Sequence, residues 1–488
     1  MSISTGVRPL VIAIASVLLA ACAVGPNHVR PTMDGVPDRF VQAEAGTGAT
    51  NPAVAPDDEF WRGFNDPELK RLVEQALFAN HDLRIALANL DRANALLRGA
   101  KADYRPSITA QGQASDNRAS ADQMPGVSRG DRDYESYSVG AQASWELDFF
   151  GRVRRGVEAQ RAGVQASVAD LQALQVAVVG EVANTYVGLR GAQERLRVAR
   201  QNADNQAQTL QLVEARFNAG RGTEFDTSRA RAQLEATRSR VPALEAQVAV
   251  AMHRLAVLTG RAPEALIPEL TPQGPLPVLP ARIDPSTPGE LLRHRPDIAA
   301  AEERLHAATA RIGVATADLF PRFTLGGLIG SQAADTSALF SRDGETRLVA
   351  LGIDWSFLDV GRVRSRIKAA DADAEGQLAQ YEKTVLLALE DTENALVRHA
   401  RARDEDAHLE QAALDSAKAA QLARLRYHAG ATDLFEVLDA ERTQLQAEDA
   451  FADARTRSVG SAIALYKALA GGWPDRLPER KKLAAGSP

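Results

Sequence analysis

Side chains that invite chemistry are few in this chain, and the first is a lone thiol. Cys22 is the only cysteine among 488 residues, so no disulfide can form within the chain. It closes a secretory signal. Arg8 gives a positive start, Leu10 to Ala20 a short apolar run, and Leu19-Ala20-Ala21 the small residues before a cleavage point. A thiol at that point is the residue type that carries a thioether-linked lipid, with palmitate among the acyl chains. Ala23 stands where an inner-membrane retention signal would place aspartate, which favours sorting to the outer membrane. The second feature is an acidic pair, Glu436 and Asp439, three apart and therefore on one face of a helix. The eight histidines include no pair three or four apart and no cysteine pair exists, so no metal motif is present. No glycine-rich phosphate loop and no Gly-x-Ser-x-Gly elbow occurs, and a net charge of −6 offers no basic footprint for nucleic acid. The residues thus point to a protein that is not an enzyme and uses no cofactor beyond a covalent lipid on Cys22.

The elements that would position these residues come twice. Trp145-x5-Gly151-Arg152-Val153-Arg154 returns 210 residues later as Trp355-x5-Gly361-Arg362-Val363-Arg364. Arg216-Phe217-x-Ala219-Gly220-x4-Phe225 returns as Arg426-Tyr427-x-Ala429-Gly430-x4-Phe435, and Ala102-Asp103-x2-Pro106-x2-Thr109 as Ala317-Asp318-x2-Pro321-x2-Thr324. A period this long makes each copy half a protein rather than a solenoid unit. The organisation expected is a signal over 1–21, a lipidated extended segment over 22–66, a first repeat over 67–260, a proline-rich connector over 261–287, a second repeat over 288–470 and a tail over 471–488.

Each half reads as helix, hairpin, very long helix, turn, helix. Asp66-Pro67 starts an amphipathic helix expected to run to Ala102, with Leu69, Leu72, Val73, Ala76 and Leu77 beginning its seam. The period then changes to two. Ile108, Ala110, Gly112 and Ala114 alternate with Thr109, Gln111, Gln113 and Ser115, and Tyr137 to Asp148 alternates likewise around a polar loop. Such segments suit membrane strands of roughly 9–11 residues with one lipid-facing and one wet side. Beyond Gly151 a proline-free helix is expected to about Phe217, a rod on the order of 100 Å, followed by a turn and a helix from about Phe225 to Thr259. The second half gives a helix over about 288–319, a weaker strand over 323–330, a clear one from Val349 to Phe357, a long helix over about 362–426 and a last helix to about Leu469. After the signal, no apolar stretch reads as long enough for a transmembrane helix, so a crossing would need a closed barrel. Four strands cannot close one, since the smallest membrane barrels have eight. Oligomerisation is therefore required, with two, three or four protomers all open on this argument. The competing reading is a non-porous coiled-coil lipoprotein tether, which has no need of the alternating segments.

The plan resembles the TolC-like outer-membrane efflux channels, in particular their lipid-anchored branch. Cys22-Ala23-Val24-Gly25-Pro26-Asn27 is similar to that branch's lipidated start, and Phe60-Trp61-x2-Phe64-x-Asp66-Pro67-x-Leu69 to the start of its first helix. Arg295-Pro296-Asp297-Ile298-x2-Ala301-Glu302 and Phe320-Pro321 resemble second-repeat motifs, and Leu465-Tyr466-Lys467-Ala468-Leu469-x-Gly471-Gly472-Trp473 the C-terminal one. The resemblance implies a homotrimer with a β-barrel in the outer membrane, continuous with a long α-helical barrel in the periplasm. Each protomer would supply four strands, twelve in all. Its partners would be outer-membrane lipid, a periplasmic adaptor and an inner-membrane pump, and drugs or other small toxic compounds would leave passively through the lumen.

The same resemblance implies a gate at the periplasmic tips. Tyr427-x2-Gly430-x5-Glu436-x2-Asp439 matches the aperture helix, with Phe435 as an apolar constriction. Threefold symmetry would make rings of Glu436 and Asp439, whose mutual repulsion attracts cations and makes tight closure costly. Asp226 takes the position that would pair with Tyr427, Arg442 the position to bridge to a neighbouring subunit, and Thr432 stands where some relatives carry an arginine. The turns at Gly220 and Gly430 would dock the adaptor's helical tips.

Overall fold

Apolar side chains at a helical period are spent on long packed helices, and those at a period of two on one sheet. A computed structural model describes residues 23–33, 35–41, 59–278, 287–469 and 477–480. The expected signal, Cys22, residues 279–286 of the connector and most of the tail lie outside them. Two compact units form. One contains the described residues of Met1–Thr32, Asn89–Val168 and Ala300–Glu382, and the other those of Met33–Ala88, Ala169–Ala299 and Lys383–Pro488.

The sheet belongs to the first unit. Its strands are β1 (Ser107–Arg118), β2 (Asp133–Leu147), β3 (Arg322–Ala333) and β4 (Glu345–Asp354), in spatial order β1-β2-β3-β4 with every neighbour antiparallel. Over much of the sheet the register sets like against like, with Arg347 opposite Ile329 and Leu328 opposite Gln142 as exceptions. Ala110, Ala141 and Ile329 lie in one cross-strand row, and Trp145, Leu325 and Leu351 in another. Because residues directly opposite share a face, one side gathers Ile108, Val139, Trp145, Leu325, Ile329, Val349, Leu351 and Ile353. The other gathers Gln111, Gln113, Ser138, Gln142 and Thr324. The apolar side is bare: Ile108 is 73% exposed, Ile329 70%, Val349 82% and Ile353 63%. β1 and β4 each pair along one side only, so both edges of the sheet are open. The fourth strand differs from the expected Val349–Phe357. It begins at Glu345 and ends at Asp354, and the indole of Trp355 donates to the Leu319 carbonyl at 3.0 Å instead of lying in the ladder.

The helices are α1 (Pro67–Ala79), α2 (His81–Ala102), α3 (Arg152–Asn218), α4 (Glu224–Arg238), α5 (Arg240–Leu258), α6 (Ile267–Leu270), α7 (Pro288–His294), α8 (Pro296–Ala317), α9 (Val360–His428) and α10 (Leu434–Ala468). Asp66 starts α1 as read, its carboxylate accepting from the amides of Glu68 and Leu69 at 2.9 and 3.0 Å. Three expected helices are interrupted. Asn80 has ψ 134° and separates α1 from α2, its side chain capping the amides of Asp82 and Leu83. Arg295 has ψ 121° because Pro296 follows it, which disfavours the helical region for the preceding residue. Pro242 cannot bond the Arg238 carbonyl, and α4 gives way to α5 at Ser239. The two breaks in the leading helices share a partner type. Asn80 donates to the carbonyl of Leu258, the last residue of α5, at 2.9 Å, and Arg295 to that of Ala468, the last residue of α10, at 3.0 Å.

Contrary to the reading that no later stretch is apolar enough to span a membrane, Arg152–Asn218 and Glu224–Leu258 both qualify by length and composition. In α3 that apolar content is used for packing, with Val179, Val182, Ala183, Tyr186 and Leu189 at most 1% exposed. The core of this second unit also takes in Trp61 and Phe64, and the Phe60 ring stacks on Tyr466 at 4.9 Å.

Candidate functional site

Two turns of the same construction join α3 to α4 and α9 to α10. Gly220 and Gly430 have φ of +70° and +73°, and each is followed by an amide that reaches back to a helix carbonyl. Arg221 donates to Arg216 at 2.9 Å and Ala431 to Arg426 at 2.8 Å. These are the bonds of a Schellman stop, which needs a left-handed residue at its centre. The helices that leave the turns are capped alike. The Thr223 hydroxyl accepts from the Asp226 amide while the Asp226 carboxylate accepts from the Thr223 amide at 3.0 Å, a complete capping box. Asp433 accepts from the Glu436 amide at 3.0 Å. Asp226 and Glu436 thus hold the same N3 position on successive hairpins.

The two hairpin tips are joined by an apolar cluster and one cation. Val213 of α3, Ala230 of α4, Tyr427 of α9 and Leu434, Val437 and Leu438 of α10 pack together, each buried. Arg216 lies over the Tyr427 ring, its Cζ 3.9 Å from the centroid, and its Nη2 donates to the Tyr427 carbonyl at 2.8 Å. The Asp226 carboxylate binds Thr223, and no hydrogen bond joins it to Tyr427. Within the described residues the Tyr427 ring is met by Arg216, a residue the sequence presented only as part of a repeated motif. The remaining residues expected at the aperture sit at or near the start of α10. Phe435 is 54% exposed with Arg229 4.6 Å from its ring. Glu436 accepts from the Thr432 hydroxyl and lies 3.7 Å from Arg426. Asp439 is paired with Arg442 of its own helix at 2.5 Å.

One turn deeper, a polar group that sequence reasoning missed is enclosed by three helices. Glu441 of α10 is 1% exposed, and its Oε1 accepts from the Thr209 hydroxyl of α3 at 2.8 Å. Arg424 of α9 stands 3.5 Å from the same oxygen. Burial pushes the Glu441 carboxyl above the ordinary carboxylate range, against the opposing pull of Thr209 and Arg424. Arg424 also donates to Gln444 at 2.9 Å. Gln444 in turn donates to Glu448 at 2.7 Å, and Asn202 of α3 to the other Glu448 oxygen at 2.8 Å.

In the first unit, the segment after Cys22 is fastened where strand becomes helix. The Val24 amide donates to the Phe150 carbonyl at 3.1 Å, and Ala23 lies so close to Gly151 that a Cβ there would come 2.5 Å from its own. Arg155, 4% exposed, donates to the Val24 carbonyl at 3.2 Å and to Asn27 at 2.6 Å. Aromatic rings collect at this level: Phe150 stacks on Phe320 at 4.5 Å, Phe149 meets Phe323 edge-on at 5.2 Å, and Trp355 and Phe357 are more than half exposed. The Gly151-Arg152-Val153-Arg154 motif serves this junction, since Arg152 pairs with Glu146 and Asp148 accepts from the amides of Val153 and Arg154. Among the described residues, no group of three or more His, Cys, Asp or Glu could hold a metal ion.

Comparison with known proteins agrees with this geometry. The family model described as outer membrane efflux protein matches residues 72–261 and again 287–471. The chain is 35% identical over 482 residues to outer membrane protein OprJ of Pseudomonas aeruginosa, covering 96% of each. It is 34% identical over 469 residues to the pyoverdine export outer membrane protein OpmQ of Pseudomonas putida, covering 95% of this chain and 97% of that one. The solved outer-membrane channel OprN superposes with a TM-score of 0.85 at 41% identity, over 93% of this chain and all of that one. The chain belongs to the outer membrane efflux protein family.

Proposed function

We propose that this protein assembles as a lipid-anchored homotrimer and serves as the passive exit duct for drugs or other small toxic compounds, handed to it by an adaptor and an inner-membrane pump. The observation that carries the reading is the sheet. Its apolar face is uncovered and both its edges are open, so it needs lipid on one side and further strands at each end. Three copies would supply twelve strands and satisfy both edges. Exposed leucines along α9 (Leu386, Leu414, Leu422 and Leu425, each more than half exposed) suit packing against a neighbouring copy. Two structural repeats are supported by the double family match and by the paired bonds of Asn80 and Arg295. The lipid on Cys22 is supported by the anchoring of Ala23 and Val24 beside the aromatic rings of the junction, where a bilayer surface would lie.

The gate in this reading lies at the two turns. Glu436 and Asp439 form acidic rings, Phe435 narrows the pore, and Tyr427 with Arg216 keeps the tips together. Arg442 tempers the Asp439 ring, and Asp226 shapes the first tip through its cap rather than by pairing with Tyr427. Gly220 and Gly430 offer the adaptor two similar turns whose glycines have open space around them. Purified protein reconstituted in planar bilayers should give stable ion-conducting pores, and cells lacking it should accumulate more of some pump substrate. Bilayers that stay insulating, with accumulation unchanged across drugs, dyes and metal ions, would remove the duct.

A further inference from the structure

The acidic pair of the aperture rides on the first turns of α10, so its position depends on what fastens that helix farther along. Glu441 lies two residues beyond Asp439 and faces inward. Of its two oxygens, one is held by the Thr209 hydroxyl at 2.8 Å, and the other has no partner among the described residues. Gln206, one turn before Thr209 and 2% exposed, also has both amide atoms without a partner. Taking a carboxyl this deep is costly, and a well-packed apolar residue of similar size would hold the helices together at least as well. Packing alone therefore does not explain the group. A joint between α10 and α3 made by one hydroxyl, with the other oxygen of the same buried carboxyl left unsatisfied, is one that water can complete when the helices part.

We propose that Glu441 is the positioning residue of the aperture: its carboxyl clasps α10 to Thr209 of α3 in the closed channel, and parting of this pair swings the Glu436–Asp439 face away. The inference rests on the channel reading above. Arg424 of α9 is the charged side chain that faces Glu441, and α3 faces it with the uncharged Thr209. Since burial raises the carboxyl's affinity for a proton, the clasped form binds that proton more tightly than a hydrated, open form does. Acid then favours the clasp, and the preference fades as pH rises past the raised value.

Bilayer recordings on the full-length, lipidated trimer test this with five channels. In Glu441→Met, which keeps the volume, and in Thr209→Val, which removes only the hydroxyl, the open-to-closed ratio should rise about tenfold, equivalent to ~1.4 kcal/mol. The double variant should rise no further than Glu441→Met alone, because that substitution already removes the contact to Thr209. Glu441→Gln, whose amide oxygen still accepts from Thr209, should keep the wild-type ratio but lose the part of its pH dependence that lies above the ordinary carboxylate range. A conducting wild type with Glu441→Met and Thr209→Val unchanged would overturn the clasp and leave the duct standing. A wild type that forms no pore would overturn both. Should Glu441→Met fail to insert, Thr209→Val alone decides.

Discussion

Arg216 serves Tyr427 twice, by stacking its guanidinium on the ring and by bonding the backbone carbonyl. A cation over an aromatic face contributes about 0.5–2 kcal/mol according to its exposure, and the ring rather than the hydroxyl is what it needs. Arg216→Ala and Tyr427→Ala should therefore raise single-channel conductance, while Tyr427→Phe should leave it unchanged. A Tyr427→Phe channel as leaky as Tyr427→Ala would hand the latch back to the hydroxyl. Asp226→Ala should instead destabilise the start of α4 by about 1 kcal/mol, the ordinary worth of a helix cap, seen as faster amide exchange there. For the aperture, Glu436→Ala with Asp439→Ala should weaken cation preference, read as a smaller reversal potential in a salt gradient. An unchanged potential would take both residues out of the pore. At this scale the sequence displayed the turns openly, because the Arg-aromatic-x-Ala-Gly string occurs twice. The capping-box spacing of Thr223-x2-Asp226 was present too, but Asp226 was read there as a partner for Tyr427 and its cap emerged only from the structure. Arg216 and Glu441 stayed hidden because their partners lie more than 200 positions away, where no local pattern reports them.

Helices and strands were legible to the extent that their period was. The change from 3.6 to two located all four strands, although it carried the fourth past its end at Asp354, and the lack of proline placed α3. Single residues that break a helix were harder. Asn80 reads as an ordinary surface residue within a seam, yet it is 3% exposed and bonds both the next helix and the end of α5. Asn80→Ala should cost about 2 kcal/mol, from the lost cap and the lost buried bond together, and Asn80→Asp about half, since it restores the cap alone. Equal melting temperatures for the two variants in detergent would count against the bond to Leu258. Packing between α9 and α10 also carries a pH signature. His399 bonds Ser461 at 3.0 Å, and burial, with Arg403 nearby, brings its pKa down to about 4. The unfolded chain binds this proton near pH 6.5 and the folded one only near 4, so stability falls as pH drops through that interval, on the order of 1–3 kcal/mol. His399→Gln should flatten the decline in melting temperature between pH 7 and 5, and an equally steep decline would assign it to other groups.

At the scale of the whole molecule, the sheet leaves surfaces without company. A bare apolar sheet face and two open edges are wrong for a chain alone in water and suit a part of a larger barrel in lipid. The need for partners could be read from four alternating segments, whereas their number could not, because two, three or four copies all give enough strands. The tether reading has no use for such a sheet, and family membership sets it aside. The symmetry of the assembled protein is therefore the most direct test, by electron microscopy of the lipidated, detergent-extracted protein. The account predicts a hollow threefold particle with a helical tunnel on the order of 100 Å long, from 1.5 Å of rise per residue in α3 and α9. A thin solid rod, a compact particle or any symmetry other than threefold would contradict it.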